Sequence, residues 1–198
     1  PLSLDISPDT AQWARDFFAP YGGQRMPWTA VQVGASDPMK AWRPELFGQT
    51  LAALSRQTPV GYVFIGTESE RKAIETAQMA YRQAGGRGPL CDAVGRTTLP
   101  QLAAVLAQCR LLLTNDTGPM HLAVGVGTPV IDLSVGHVDF RETGPYGPGH
   151  WIVQPDMGCA PCGFDQVCLH HACKDRLVPD QIAALCLYVL NGGAFPEK

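Results

Sequence analysis

The chain has 198 residues, 45% of them apolar and 17% charged, with 15 Lys and Arg against 18 Asp and Glu for a net charge of -3. That length can bury a core without a disulfide framework, and the composition is that of a globular protein and excludes a disordered one. The slight acidic excess argues against a broad nucleic-acid surface. No apolar run reaches the roughly 18 residues of a membrane-spanning helix.

The first residue is Pro1, with no basic-then-apolar leader behind it, so the expectation is a fragment or excised domain of a longer protein. Residues 7–19 read as a short helix opened by Pro8, with Trp13, Phe17 and Phe18 on one face. Residues 1–29 are taken as an N-terminal helix and linker, and 30–198 as the domain proper. The run Ala30-Val31-Gln32-Val33-Gly34 reads as a strand. A helix follows over 44–55, a strand over 60–65, and a helix over 69–84 that stops at Gly85-Gly86. A weak strand over 91–94, a helix over 99–109 and a strand over 111–114 come next. Asp116-Thr117-Gly118 opens a helix to about Gly125, followed by a strand over 130–133. A Gly/Pro-rich loop over 136–150 leads to a strand over 151–153, a cysteine-rich loop over 158–174 and a last helix over 179–190. Short apolar strands alternating with helices predict a parallel sheet covered on both faces, a three-layer α/β Rossmann-like domain. GxGxxG, GxxxxGK[ST] and GxSxG are all absent, which removes the usual support for dinucleotide, P-loop and α/β-hydrolase readings.

In such a sheet, ligands bind beyond the carboxyl ends of the strands, near the point where strand order reverses. The sharpest such segment is 111–131, where a strand runs straight into Asp116-Thr117-Gly118 and then a helix. A helix start offers free N–H groups and the positive end of the dipole, which favour a phosphate. Gly118 lets a ligand approach the backbone, Thr117 adds a hydroxyl, and His121 lies one turn along. On spacing alone, an equal alternative has Asp116 merely capping the helix and His121 packed in the core.

Asn115-Asp116-Thr117-Gly118, His121-Leu122-Ala123 and Gly127-Thr128-Pro129 together resemble glycosyltransferase family 9, the ADP-heptose:lipopolysaccharide heptosyltransferase family. Val33-Gly34-Ala35-Ser36 with Lys40-Ala41-Trp42 resembles the family's strand-end motif. Gly66 with Glu70-Arg71, and Thr143-Gly144-Pro145-Tyr146-Gly147, resemble two further stretches. The matches fall in family order from about Ala30 onward. The resemblance implies the C-terminal, donor-binding half of a two-domain GT-B enzyme. The acceptor-binding N-terminal domain and its carboxylate base are not matched, so this chain alone is not expected to turn over.

The same resemblance implies roles for individual residues. Lys40 would contact the donor phosphates and Ser36 would donate to them. Glu70 would accept from the ribose hydroxyls, and Thr97 would lie near the base. Asp116, Thr117 and Gly118 would cradle the diphosphate or the sugar, and His121 would touch one or the other. Lys40 and Asp116 are the pair expected to act in the reaction itself. The implied chemistry is inverting transfer from a nucleotide-sugar, ADP-heptose or similar, to a glycan or lipid-linked acceptor of lipopolysaccharide or a related surface glycan. No cofactor is expected for transfer, with Lys40 and the helix start serving where a metal otherwise would. Where the family shows Gly-Pro-Thr-Asp-Pro or similar, this chain reads Gly136-His137-Val138-Asp139-Phe140.

Seven cysteines are an odd count for a secreted scaffold, and Cys91, Cys109 and Cys186 sit in apolar runs as expected buried thiols. A reducing cytoplasm fits, with a peripheral place at the inner membrane compatible with it. Cys159, Cys162, Cys168 and Cys173 lie within fifteen residues, with His170 and His171 among them. Their uneven spacing leaves structural zinc, reduced thiols and disulfides open. The cluster is expected to lie outside the donor cleft. Two further readings stay open: a nucleotide-sugar-binding module without transfer, and a zinc-stapled interaction domain whose Asp-Thr-Gly turn is only a cap.

Overall fold

A computed structural model describes residues 3–136, 138–162, 168 and 170–193. Helix α1 spans Pro8–Phe18. Strand β1, Trp28–Gln32, leads to α2, Pro44–Gln57, and β2, Gly61–Ile65, leads to α3, Arg71–Gln83. Strand β3, Leu90–Asp92, is followed by α4, Leu99–Ala107. Strand β4, Leu111–Asn115, runs into α5, Gly118–Gly125, and β5 spans Val130–Leu133. The one-turn helix α6, Phe140–Thr143, then β6, His150–Val153, α7, Ala172–Arg176, and α8, Pro179–Leu190, complete the chain.

The six strands form one parallel sheet in the order β3-β2-β1-β4-β5-β6. Every residue of β1, β2, β4 and β5 is buried, as a sheet covered on both faces requires. Alternation divides the apolar side chains between two cores. Val31, Phe64, Leu113 and Ile131 face α2, α3 and α8. Trp28, Ala30, Val63, Leu112 and Val130 face the layer of α1, α4 and α5. The segment expected to precede the domain therefore supplies part of that layer: α1 packs on α4, and the Phe18 ring lies tilted against Trp28 with ring centroids 4.7 Å apart. Gly48 has a packing reason to be glycine inside α2, because a Cβ there would strike the Ala77 carbonyl of α3.

Two expected helices begin later than their composition suggests. Residues 68–70 form a turn of 3-10 helix before α3, because Glu70 Oε2 reaches back to accept from Thr67 N at 2.7 Å and Thr67 Oγ1 at 2.8 Å. Helix α5 starts at Gly118, because Thr117 is extended at φ -146, ψ 164. No helix among the described residues is long and apolar enough to cross a membrane.

Candidate functional site

Strand order reverses between β1 and β4, which pair in parallel. Their carboxyl ends open the crevice where a doubly wound sheet takes its ligand. Asn115, fully buried at the end of β4, laces the two walls together. Its Nδ2 donates to Val33 O at 2.8 Å and Gly34 O at 3.3 Å. Its Oδ1 accepts from Trp42 N at 2.9 Å. One side chain thus ties together the backbone segments that carry Ser36, Lys40 and Asp116, each within two residues of a group that Asn115 binds or next to Asn115 itself.

On the β1 wall, Asp37 caps the 3-10 helix Pro38–Lys40 by accepting from Met39 N at 2.8 Å. Lys40 closes that helix, half-buried, and its ammonium has no ion-pair partner among the described residues. Ser36 is exposed. Glu70 reaches the same wall from β2. Its Oε1 accepts from Gln32 Nε2 at 2.7 Å, and a Cβ on Gly34 would run into that oxygen. Gly66, at φ +146, makes the turn that brings Glu70 over the end of β1. Glu70 is therefore oriented by Gln32 and Thr67, and Oε1 keeps acceptor capacity toward the crevice. The adjacent Arg71 points the other way, to Glu68 Oε1 at 2.5 Å, Asp92 Oδ2 at 3.0 Å and Val94 O at 3.1 Å. These bonds raise the Arg71 pKa and hold the Glu68 carboxyl below its ordinary range. Thr97 follows β3, two strands out from the crevice, and no described contact draws it toward Asp116.

On the β4 wall, Asp116 does not cap α5. It is 8% exposed, and its Oδ2 accepts from Thr143 Oγ1 at the end of α6. Thr143 also bonds the Asp139 carbonyl at 3.2 Å, and Asp139 pairs with Arg141 at 2.7 Å, which holds the Asp139 carboxyl below its ordinary range. Thr117 makes no side-chain cap, so the first turn of α5 keeps donors unspent on side chains. A Cβ on Gly118 would meet nothing within 4 Å, so this approach is open. His121 is exposed and is not a core histidine. Of the 136–140 loop, where the chain departs from the family pattern, His137 lies outside the described residues.

Beneath Asp116 sits a residue that motif reading passed over. Asp132 is fully buried in β5, and neither carboxylate oxygen has a hydrogen-bond partner among the described residues. Burial first, and the Asp116 charge second, push its pKa up to about 8.

The cysteine-rich segment does not stand apart from the cleft. Lys174 Nζ donates to Pro38 O at 2.6 Å, and Trp42 Nε1 donates to Lys174 O at 2.7 Å. Arg43 pairs with Asp175 at 2.6 Å, and Cys162 N donates to Gly136 O at 3.1 Å. Helix α7 thus braces the Lys40 loop from behind. Burial pulls the Lys174 pKa below the ordinary lysine value. All seven cysteines are free thiols, with Cys159 exposed, Cys162 and Cys168 half-buried and Cys173 buried. Burial, and then the neighbouring Cys159, Cys168 and Cys173, raise the Cys162 pKa. Among the described residues, no group of three or more His, Cys, Asp or Glu is placed to hold a metal ion. Residues 163–167 and 169 of this loop lie outside the described residues. Cys91, Cys109 and Cys186 are buried, with the Cys91 and Cys186 thiols each pushed up to about 12 by burial.

A cavity of about 1110 Å³ lies between the C-terminal half of α5 and the 140–150 loop, lined by residues such as Val124, Pro129, Tyr146 and Ile152. Of the residues named above on the two walls, only Arg141 lines it. Ser36, Lys40 and Asp116 instead follow the carboxyl ends of β1 and β4, at the switch point.

Comparison with known proteins bears on the family and the fold. The family model "Glycosyltransferase family 9 (heptosyltransferase)" matches residues 2–172. The chain is 46% identical over 148 residues to the lipopolysaccharide core heptosyltransferase OpsX of Haemophilus influenzae, covering 72% of this chain and 39% of that protein. It is 27% identical over 146 residues to a lipooligosaccharide heptosyltransferase 2 of Campylobacter jejuni, covering 72% and 44%. It thus spans less than half the length of these curated relatives. The structure of the Escherichia coli ADP-heptose lps heptosyltransferase II superposes with a TM-score of 0.77 at 19% identity, covering 96% of this chain and 54% of that one. The fold is therefore that of one Rossmann-like half of a GT-B enzyme, and the chain belongs to glycosyltransferase family 9.

Proposed function

We propose that this chain is the donor-binding half of a glycosyltransferase that moves a heptose, or a closely related sugar, from its ADP-activated form onto a lipopolysaccharide core or similar surface glycan. The observation that carries the reading is the Asn115 tie, which joins the segments that carry Lys40 and Ser36 to the strand end that runs into α5. The diphosphate would lie between the Lys40 ammonium and the first turn of α5, with Ser36 and Thr117 donating to its oxygens. Glu70, already oriented, would accept from the ribose hydroxyls. Thr97 would lie toward the base, and Asp116 and His121 toward the sugar.

In the reaction, an acceptor hydroxyl attacks the anomeric carbon as the bond to the diphosphate breaks. Its proton passes to a base on the acceptor side. The electron pair leaves on the nucleoside diphosphate, and Lys40 with the α5 start stabilises that developing charge. Attack from the face opposite the leaving group inverts the anomeric centre. The ADP part of the reading comes from the Escherichia coli enzyme's own designation and from family membership. Calorimetric titration of the chain with ADP, GDP and UDP tests it. ADP is expected to bind more tightly than the other two, and equal affinity for all three would remove the adenine assignment.

A further inference from the structure

Asp132 is the one carboxylate in the described fold that is fully buried with both oxygens unpartnered. Its place is not incidental. In the register of the sheet it pairs with Thr114 of β4, and Thr114 Oγ1 lies 3.2 Å from Thr117 Oγ1 at the start of α5. Asp132 shares a sheet face with Val130, the face that α5 covers. Among the described residues, no Lys or Arg pairs with it to offset a charge. From α5 it meets the apolar layer of Met120, Ala123 and Val124, while His121 is exposed. From β6, Ile152 stands opposite, with His150 two residues along the same face. Beyond β4 stands Asp116, whose negative charge opposes ionisation. A lone ionised carboxylate in such surroundings costs far more than a neutral one.

We infer that Asp132 is held as a neutral carboxylic acid beneath the Asp116–Gly118 loop, and that its proton is a condition for an anionic donor to bind there. It is a positioning residue, too deep to touch the ligand. Ionised, it would put a second negative charge under Asp116 and beside the seat of the diphosphate. By reciprocity, a bound diphosphate strengthens the hold on that proton. The inference rests on the donor reading above and adds a proton to it.

Two measurements separate the two claims. The first is the pH dependence of unfolding, wild type against Asp132→Asn. A carboxyl whose folded pKa is raised leaves the folded state holding one more proton than the unfolded state. Stability is then greatest at low pH and is lost as pH rises from the ordinary carboxylate range to about 8. Relative to the Asn variant, the wild-type unfolding constant should grow about tenfold per pH unit over that window. Parallel curves would overturn the inference. If the variant does not fold, infrared spectroscopy of the wild type reads the protonated carboxyl band directly. That band should persist at neutral pH and fade above about pH 8, and its absence at neutral pH would overturn the inference.

The second is ADP affinity by titration calorimetry at about pH 7.5 and about pH 9, where the ADP phosphates no longer titrate. Wild-type affinity should fall roughly five- to tenfold, and that ratio should drop below about twofold in Asp132→Asn. Equal pH ratios in the two proteins would overturn the inference while leaving the donor reading intact. Failure of ADP to bind at either pH would overturn both the donor reading and the proton condition built on it, with the unfolding data still reporting the state of Asp132.

Discussion

The two walls of the crevice are built differently. The β1 wall, from Gly34 to Arg43, is held by distant parts of the chain: Asn115 from β4, Glu70 from beyond β2, and Lys174 and Asp175 from α7. The β4 wall, from Asn115 to His121, is a strand running straight into a helix, with one tie from Thr143 to Asp116. On the proposed reading, the first wall is a scaffold that fixes one ammonium. The second presents its groups through local backbone geometry. Substitutions should therefore cost the fold on the first wall and cost the ligand on the second, with two exceptions: Lys40, which carries ligand binding on the braced side, and Asn115, which joins the walls.

The largest effect should come from the residue that joins the walls. Asn115→Ala strands the Trp42 N–H and the Val33 carbonyl in the interior, and should lower stability by about 3 kcal/mol in urea unfolding. It should abolish ADP binding with it. Gly34→Ala comes next. Its new Cβ would occupy the place of Glu70 Oε1, so Glu70 must swing away at a cost of about 1–3 kcal/mol. ADP affinity should fall because the ribose acceptor moves, and an unaltered affinity would show that Glu70 plays no part. The smallest effect is expected from Arg43→Ala. That pair with Asp175 is about half exposed on both sides, so its loss should cost under about 1 kcal/mol despite good geometry. A larger loss would mean that α7 holds the Lys40 loop mainly through this pair.

The same contrast explains what could be read from the sequence. The β4 wall was legible because its parts are contiguous: apolar Leu111 to Leu113, then Asp116-Thr117-Gly118, then a helix. The alternation of strands and helices likewise foretold the sheet and both faces. The β1 wall was legible only through the ordered family motifs, which pointed to Ser36, Lys40 and Glu70 without showing what holds them. Asn115 and Gln32 act through partners 38 to 82 residues away, a separation that carries no local pattern. The bracing by α7 was missed for that reason, since Lys174 and Trp42 lie 132 residues apart. Asp132 sits in an apolar run where strand periodicity says only that it is buried. Its lack of partners is a property of the packed sheet and not of the sequence around it.

The most direct test of the central claim is titration calorimetry of this chain with ADP, repeated on Lys40→Ala. The account predicts a single ADP site whose affinity falls at least about tenfold in the variant, as loss of a charge-assisted contact to a phosphate would give. The variant's unfolding midpoint should stay unchanged, because the Lys40 ammonium has no ion-pair partner among the described residues. Binding of equal strength in both proteins, or no binding at millimolar ADP, would contradict it.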